Sequence, residues 1–356
     1  MLTLMSGACA SFGRTPRGER LERIKNSPNY HDGRFQNLSP PSPALPGAPK
    51  RPGFFGFLFR SREGLRPRTA LPTVKTDLRG FDRDEDVLVW LGHSSCFIQT
   101  DGMRIVIDPV LVKGAPVYFA NKFFKGTGIY KPDDLPDIDY LLITHDHWDH
   151  LDYDTVKQIR DRVGKVICAL GVGEHLEYWG LSKDRIIELD WNESAHLEGG
   201  FTVHCLPARH FSGRGLFSRN TTLWASFMLQ TPERNIFISG DGGYDSHFAE
   251  IGRRFEIDLA LLENGQYNPA WHNSHLLPDE VVRAARDLRA KKLLTVHNSK
   301  FTLSTHPWEE PLVNISQADE EESLNLVTPM IGEPVYLDER DQTFSKWWEG
   351  AGQKLP

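Results

Sequence analysis

Leu141-Leu142-Ile143-Thr144-His145-Asp146-His147-Trp148-Asp149-His150 decides how the rest of the chain is read. The apolar run 141–143 has the pattern of a buried strand. It stops in three histidines and two aspartates within six residues. Imidazole and carboxylate are ligands suited to a borderline metal such as zinc. A strand end is rigid, so it can hold such side chains at fixed separations.

Three more candidates sit in the same place relative to apolar runs. His210 follows the run 201–206, Asp241 follows 236–239 and His297 follows 293–296. Taken alone, His210 or His297 reads as an ordinary surface or hydrogen-bonded histidine. Set beside the motif, each reads as a ligand, because strands that end on one edge bring such side chains together.

The body of the chain is a series of short apolar runs. Strands are expected at 87–91, 96–99, 104–107, 166–170, 185–189, 201–206, 223–229, 236–239, 257–262 and 293–296, and Asp101-Gly102 signals a hairpin turn. Helices are expected at 154–162, 173–180, 246–254 and 278–290, the last with Pro278 in its opening turn. Residues 111–138 are interrupted by glycine and proline and carry Tyr118, Phe119, Phe123, Phe124 and Tyr130. They read as a long loop lining a pocket. Hairpin strands followed by alternating strands and helices are compatible with two mixed sheets with helices outside.

The 356 residues suffice for one large or two ordinary domains. The net charge of −7 is unevenly spread. Residues 1–75 hold 13 Lys and Arg against 4 Asp and Glu, a balance of +9, which leaves −16 for the rest. An acidic body argues against a nucleic-acid groove. The chain therefore divides into a basic arm, 1–75, and a catalytic domain, 76–356. Residues 10–36 are polar without periodicity, and six prolines between 38 and 52 suggest an extended strap. Phe54-Phe55-Gly56-Phe57-Leu58-Phe59, flanked by Lys50, Arg51, Arg60 and Arg62, suits either a membrane interface or packing of the arm onto the body. Residues 50–62 are thus a candidate peripheral membrane contact. Ser6-Gly7-Ala8-Cys9 resembles the tail of a bacterial lipoprotein signal, although the basic region and most of the apolar region before it are absent. Location stays open between the cell envelope and the cytoplasm. The four cysteines form no Cys-x-x-Cys pair and imply no disulfide framework.

His-x-His-x-Asp-His is the signature of the metallo-β-lactamase superfamily, and the chain resembles that family. The resemblance implies an α/β fold, a four-layer αββα sandwich of two similar halves. It implies two Zn2+ ions, or other divalent metals, held in two sets. His145, His147 and His210 would take one, Asp149, His150 and His297 the other, with Asp241 between them and a metal-bridging hydroxide as nucleophile. Asp108 and His93 would stand behind the ligands and orient them.

One branch is closer. Trp90-Leu91-Gly92-His93, Asp108-Pro109, Glu188-Leu189-Asp190-Trp191, Trp224-Ala225-Ser226 and Gly240-Asp241-Gly242-Gly243-Tyr244 resemble the N-acyl-phosphatidylethanolamine-hydrolysing phospholipase D group. That resemblance implies a phospholipid or small phosphodiester substrate and a homodimer. It places catalytic roles on Asp149, Asp241 and His275, with His275 polarising the phosphate or protonating a leaving oxygen. Where the group has His-Trp-Gly-Thr-Phe, this chain has His297-Asn298-Ser299-Lys300-Phe301, which puts Lys300 near the expected mouth. A lactonase with the same two-metal site is the alternative, and a metal-free envelope protein a further one.

Overall fold

The computed structural model describes residues 10–43, 45–48, 64–116, 121–215 and 217–351. Cys9, Tyr118, Phe119 and the segment 50–62 lie outside them.

Helix α1 (Gly18–Lys25) is followed by a small hairpin, β1 (Tyr30–His31) and β2 (Arg34–Phe35). One sheet is then built from β3 (Val87–Trp90), β4 (Cys96–Thr100), β5 (Met103–Ile107), β6 (Ile138–Ile143), β7 (Val163–Ala169) and β8 (Ile186–Leu189). A second contains β9 (Ser194–His196), β10 (Thr202–Leu206), β11 (Ser226–Gln230), β12 (Asn235–Ile238), β13 (Leu259–Glu263), β14 (Lys292–Val296) and β15 (Leu326–Val327). The last strand, β16 (Pro334–Tyr336), returns to the first sheet beside β3. Helices α2 (Tyr153–Ile159), α3 (Gly173–Tyr178), α4 (His247–Arg254), α5 (Pro278–Leu288) and α6 (Glu310–Glu322) complete the body.

The two sheets repeat one plan. In the orders β16-β3-β4-β5-β6-β7-β8 and β9-β10-β11-β12-β13-β14-β15, three antiparallel pairings are followed by three parallel ones. No repeat is legible in the sequence, because β16 comes from the far end of the chain to take the place that β9 holds in its own sheet. Between β4 and β5 the turn residues Asp101 and Gly102 have φ of 47° and 75°, the left-handed pair that a tight hairpin demands.

The strands are apolar on both faces because each face meets another layer. Along β12 to β14, Ile236, Ile238, Leu259, Leu261, Leu294 and Val296 point between the sheets. The alternate residues Phe237, Ala260, Leu262 and Leu293 pack outward with Phe248 and Ile251 of α4, Val281, Ala284 and Leu288 of α5, and Ile315 of α6. With α2 and α3 over the first sheet, this is the four-layer αββα sandwich.

Several local expectations are revised. Residues 10–36 hold α1 and a hairpin, and Ile24 and Phe35 are fully buried in the main core. Their polar neighbours hid the pattern because α1 attaches chiefly through charge. Arg20 binds Glu174, Glu177 and Glu188. The run 223–229 enters the sheet only at Ser226, since Leu223 and Ala225 donate instead to the carbonyls of Leu170 and Thr144 beyond the ends of β7 and β6. Phe124 and Tyr130 of the loop 111–138 are core residues rather than pocket lining. Lys300 is not at a mouth. It is buried, its Nζ donates to the Leu91 carbonyl at 2.9 Å, and burial lowers its pKa to about 7. Among the described residues no helix is long and apolar enough to cross a membrane.

Candidate metal centre

All the ligand candidates lie at one edge of the sandwich, where β6, β10, β12 and β14 end. The two-sheet plan sets His93 after β3 against His210 after β10, and Asp108 after β5 against Asp241 after β12. The edge is strained. His93, Asp108 and His297 have φ of 54°, 39° and 68°, left-handed values that cost non-glycine residues about 1–3 kcal/mol each. A main-chain clasp between the sheets holds two of them. His93 donates to the Asn298 carbonyl at 3.1 Å, and His297 donates to the His93 carbonyl at 3.0 Å. Gly240 is required beside Asp241, because at φ 59° a Cβ there would meet the Ala225 carbonyl at 2.6 Å.

One group contains His145, His147, His210 and Asp241, whose ligand atoms lie within 4.8 Å of one another. His147 Nδ1 is 2.8 Å from His145 Nε2 and 3.1 Å from His210 Nε2. The other nitrogens of His145 and His210 are committed elsewhere. His210 Nδ1 donates to the Ser274 carbonyl at 2.8 Å, and His145 Nδ1 meets Thr144 Oγ1 at 3.0 Å while that hydroxyl donates to Asp108. Lone pairs of the two Nε2 atoms are thus turned toward one point, as a cation requires. Burial, first of all, lowers the pKa of all three histidines, which keeps them in the neutral form that binds metal.

The second group contains Asp149, His150 and His297, together with His93. His93 Nε2 lies 3.0 Å from Asp149 Oδ2, so it braces that carboxylate. Asp108 Oδ2 accepts from His150 Nδ1 at 2.8 Å, and Thr144 N–H donates to Asp108 Oδ1 at 2.9 Å. Asp241 faces both groups. Its Oδ2 is 3.0 Å from His297 Nε2, 3.1 Å from His150 Nε2, 3.8 Å from His210 Nε2 and 3.9 Å from His145 Nε2. His150 Nε2 and Asp241 Oδ1 are buried without a hydrogen-bond partner. Such orphaned atoms, facing converging imidazoles, fit a bound cation.

The electrostatics agree. Burial alone would raise Asp149 and Asp241, but the neighbouring histidines hold both well below the usual carboxylate range. Burial alone would lower His150, but Asp241, Asp149 and Asp108 raise it to about 10. His297 is likewise raised well above its ordinary value against the effect of burial, chiefly by Asp241. The carboxylates demand positive charge here, and protons supply it when no metal does. Loading the metal-free protein at pH 7 is therefore expected to release about two protons, from His150 and His297. Calorimetry in buffers of different ionisation enthalpy would measure this, and release of none would contradict the arrangement.

Two residues belong here that sequence reasoning did not mark. Glu263, at the end of β13, is buried, and its Oε2 lies 3.2 Å from His275 Nδ1 and 3.4 Å from His297 Nδ1. It obeys the strand-end rule that singled out the ligand candidates, so the signal was present. His275 is brought to the site by this contact, with ring centroids 5.2 Å from His210 and 5.0 Å from His297. Asn37, from the N-terminal segment, bonds the main chain of His210. Conversely, Asp146 of the motif turns away from the ligands. Its carboxylate lies 3.1 Å from His175 Nε2 and accepts from Gly213 N–H and the Thr222 hydroxyl.

Comparison with known proteins gives matching results. The family described as beta-lactamase superfamily domain matches residues 103–298, the span holding the motif and all later ligand candidates. A protein of Mycobacterium tuberculosis, named only as uncharacterized, is 37% identical over 341 residues, 94% of this chain and 91% of that one. An N-acyl-phosphatidylethanolamine-hydrolyzing phospholipase D of Caenorhabditis elegans is 33% identical over 233 residues, 61% of this chain and 64% of the relative. Among solved structures, a metallo hydrolase of the archaeon Ignicoccus hospitalis shares the fold, with a TM-score of 0.56 at 20% identity over 71% of this chain and 98% of that one.

Proposed function

This chain belongs to the metallo-β-lactamase superfamily of hydrolases, and on that premise we propose that it is a two-zinc phosphodiesterase of the N-acyl-phosphatidylethanolamine phospholipase D type. The observation that carries the two-metal reading is Asp241, one carboxylate oxygen within 3.9 Å of histidines from both groups. His145, His147 and His210 would hold one ion, and Asp149, His150 and His297 the other, with Asp241 shared. When bound, such a pair supplies Lewis acidity for a phosphoryl oxygen and brings the pKa of water toward neutrality.

The chain's own residues supply the rest. Asp108 and Ser274 turn the Nε2 atoms of His150 and His210 inward, and Glu263 aligns His275 and His297. In the hydrolysis the oxygen of water joins phosphorus, the bond from phosphorus to the N-acylethanolamine oxygen breaks, and that oxygen takes a proton. His275, beside both groups and steadied by Glu263, is placed to give it. The phospholipase branch is favoured over lactone hydrolysis by the relative of that name.

The test is hydrolysis of an N-acyl phosphatidylethanolamine in mixed micelles beside a panel of sugar lactones, with zinc-loaded protein. Phosphatidic acid and the N-acylethanolamine are the expected products. Turnover of lactones alone would refute the phosphodiesterase assignment.

A further inference from the structure

We propose that Asn37 is a positioning residue for the metal group of His145, His147 and His210, holding the main chain of His210 where its ring meets the other two. The proposal rests on the two-metal reading above and extends it to a segment that carries no ligand.

His210 lies beyond the end of β10, so its main-chain groups have no ladder partner. Asn37 replaces one. Its Oδ1 accepts from the His210 N–H at 3.0 Å, and its Nδ2 donates to the His210 carbonyl at 2.9 Å. An amide side chain offers an acceptor and a donor on one planar end, which imitates a neighbouring strand. Among the described residues, no other group bonds the His210 N–H or carbonyl. The amide is itself fixed, since Trp224 Nε1 donates to Asn37 Oδ1 at 3.1 Å and to the Ala208 carbonyl at 2.9 Å.

The segment around Asn37 is anchored on both sides. Phe35 is fully buried and its N–H donates to the Asn220 carbonyl at 2.9 Å. Pro40 accepts from Arg209 Nη2 at 2.9 Å, and Ser42 N–H donates to Asn273 Oδ1 at 2.9 Å. Farther upstream the same segment reaches the motif that carries His145 and His147. Arg14 N–H donates to His175 Nδ1 at 3.0 Å, and His175 Nε2 lies 3.1 Å from Asp146. Phe12 stands edge-on to Trp148, with centroids 5.1 Å apart. Gly13 permits this approach, because a Cβ there would lie 2.0 Å from the His175 ring. The three histidines come from two different sheets, and this one segment braces both of their loops.

Groups behind a metal ligand typically contribute about 10–100-fold to metal affinity. The experiment strips the full-length protein of metal and titrates it with Co2+ against a competing chelator, reading binding by absorbance and folding by thermal unfolding. Asn37→Ala is expected to weaken one of two ions by about 10–100-fold and leave the other within about threefold. Asn37→Asp keeps the acceptor but sets a carboxylate oxygen against the His210 carbonyl, so it should weaken that ion at least as much as Asn37→Ala. Asn29→Ala removes the bond from Asn29 Nδ2 to Asp190 Oδ1 at 3.0 Å, on the same segment but away from His210, and should bind both ions as wild type does. Unchanged affinity for both ions in Asn37→Ala, equal weakening of both, or an equal loss in Asn29→Ala would each overturn the role. A wild-type protein that binds no divalent ion would instead sink the two-metal reading, and the Asn37 role with it.

Discussion

Asp241→Ala is expected to lower hydrolysis by at least about 10³-fold and to leave the protein with one metal ion or none. Asp241 is the carboxylate that both histidine groups face, and its Oδ2 lies 3.0 Å and 3.1 Å from His297 and His150. Its removal would take away the proposed shared ligand and also the main charge that draws positive charge onto those two rings. Lewis-acid stabilisation of a transition state is worth several kcal/mol, and each tenfold in rate is about 1.4 kcal/mol. Losing one of two cations therefore accounts for about three powers of ten. Initial rates on a phosphodiester, together with metal content by mass spectrometry, would check both halves. Turnover within tenfold of wild type, with two ions still bound, would show that Asp241 is not the shared ligand. Asp241→Asn separates the causes, because it keeps the shape and removes the charge.

The second large effect is on stability. Arg20→Ala is expected to destabilise the fold by about 3–5 kcal/mol, the usual result of leaving buried charges without their partner. The Arg20 side chain is 9% exposed, and the carboxylates it binds, Glu174 and Glu188, are 2% and 10% exposed. Nε reaches Glu188 at 2.6 Å. Glu188 is not free to turn to water, since its other oxygen accepts from Gly171 and Gly173 N–H. Chemical unfolding would measure the change. A loss under about 1 kcal/mol would mean that water or Arg14 takes over the carboxylates.

Much of the site was legible because a strand end leaves a local trace. An apolar run followed by histidine or aspartate needs only a few residues to be seen, so His145 to His150, His210, Asp241 and His297 stood out, as did Asp108. Glu263 obeys the same rule and was passed over because a glutamate closing an apolar strand is common. His275 carried no local signal of its own and entered only through resemblance. What the structure adds is its partner, Glu263, which joins it to His297. Lys300 was misplaced for the opposite reason. Lysine is rarely buried, and nothing nearby in sequence announces that the Leu91 carbonyl, 209 positions away, accepts its hydrogen bond.

While the four-layer arrangement and His275 entered through resemblance, the amino-acid sequence by itself determined the order of most strands and helices and most of the residues that gather at one edge. Those properties depend on periodicity and on residue types a few positions apart, which sequence displays directly. Only the tertiary structure decided how the strands divide into two sheets of one plan, with β16 closing the first from the far end of the chain. Only it showed that Asp241 faces both histidine groups, that His93 braces Asp149, and that Asn37 holds His210 across 173 positions. These are contacts between side chains brought together by packing. Their distances depend on where each sheet places its edge, and no local pattern encodes that.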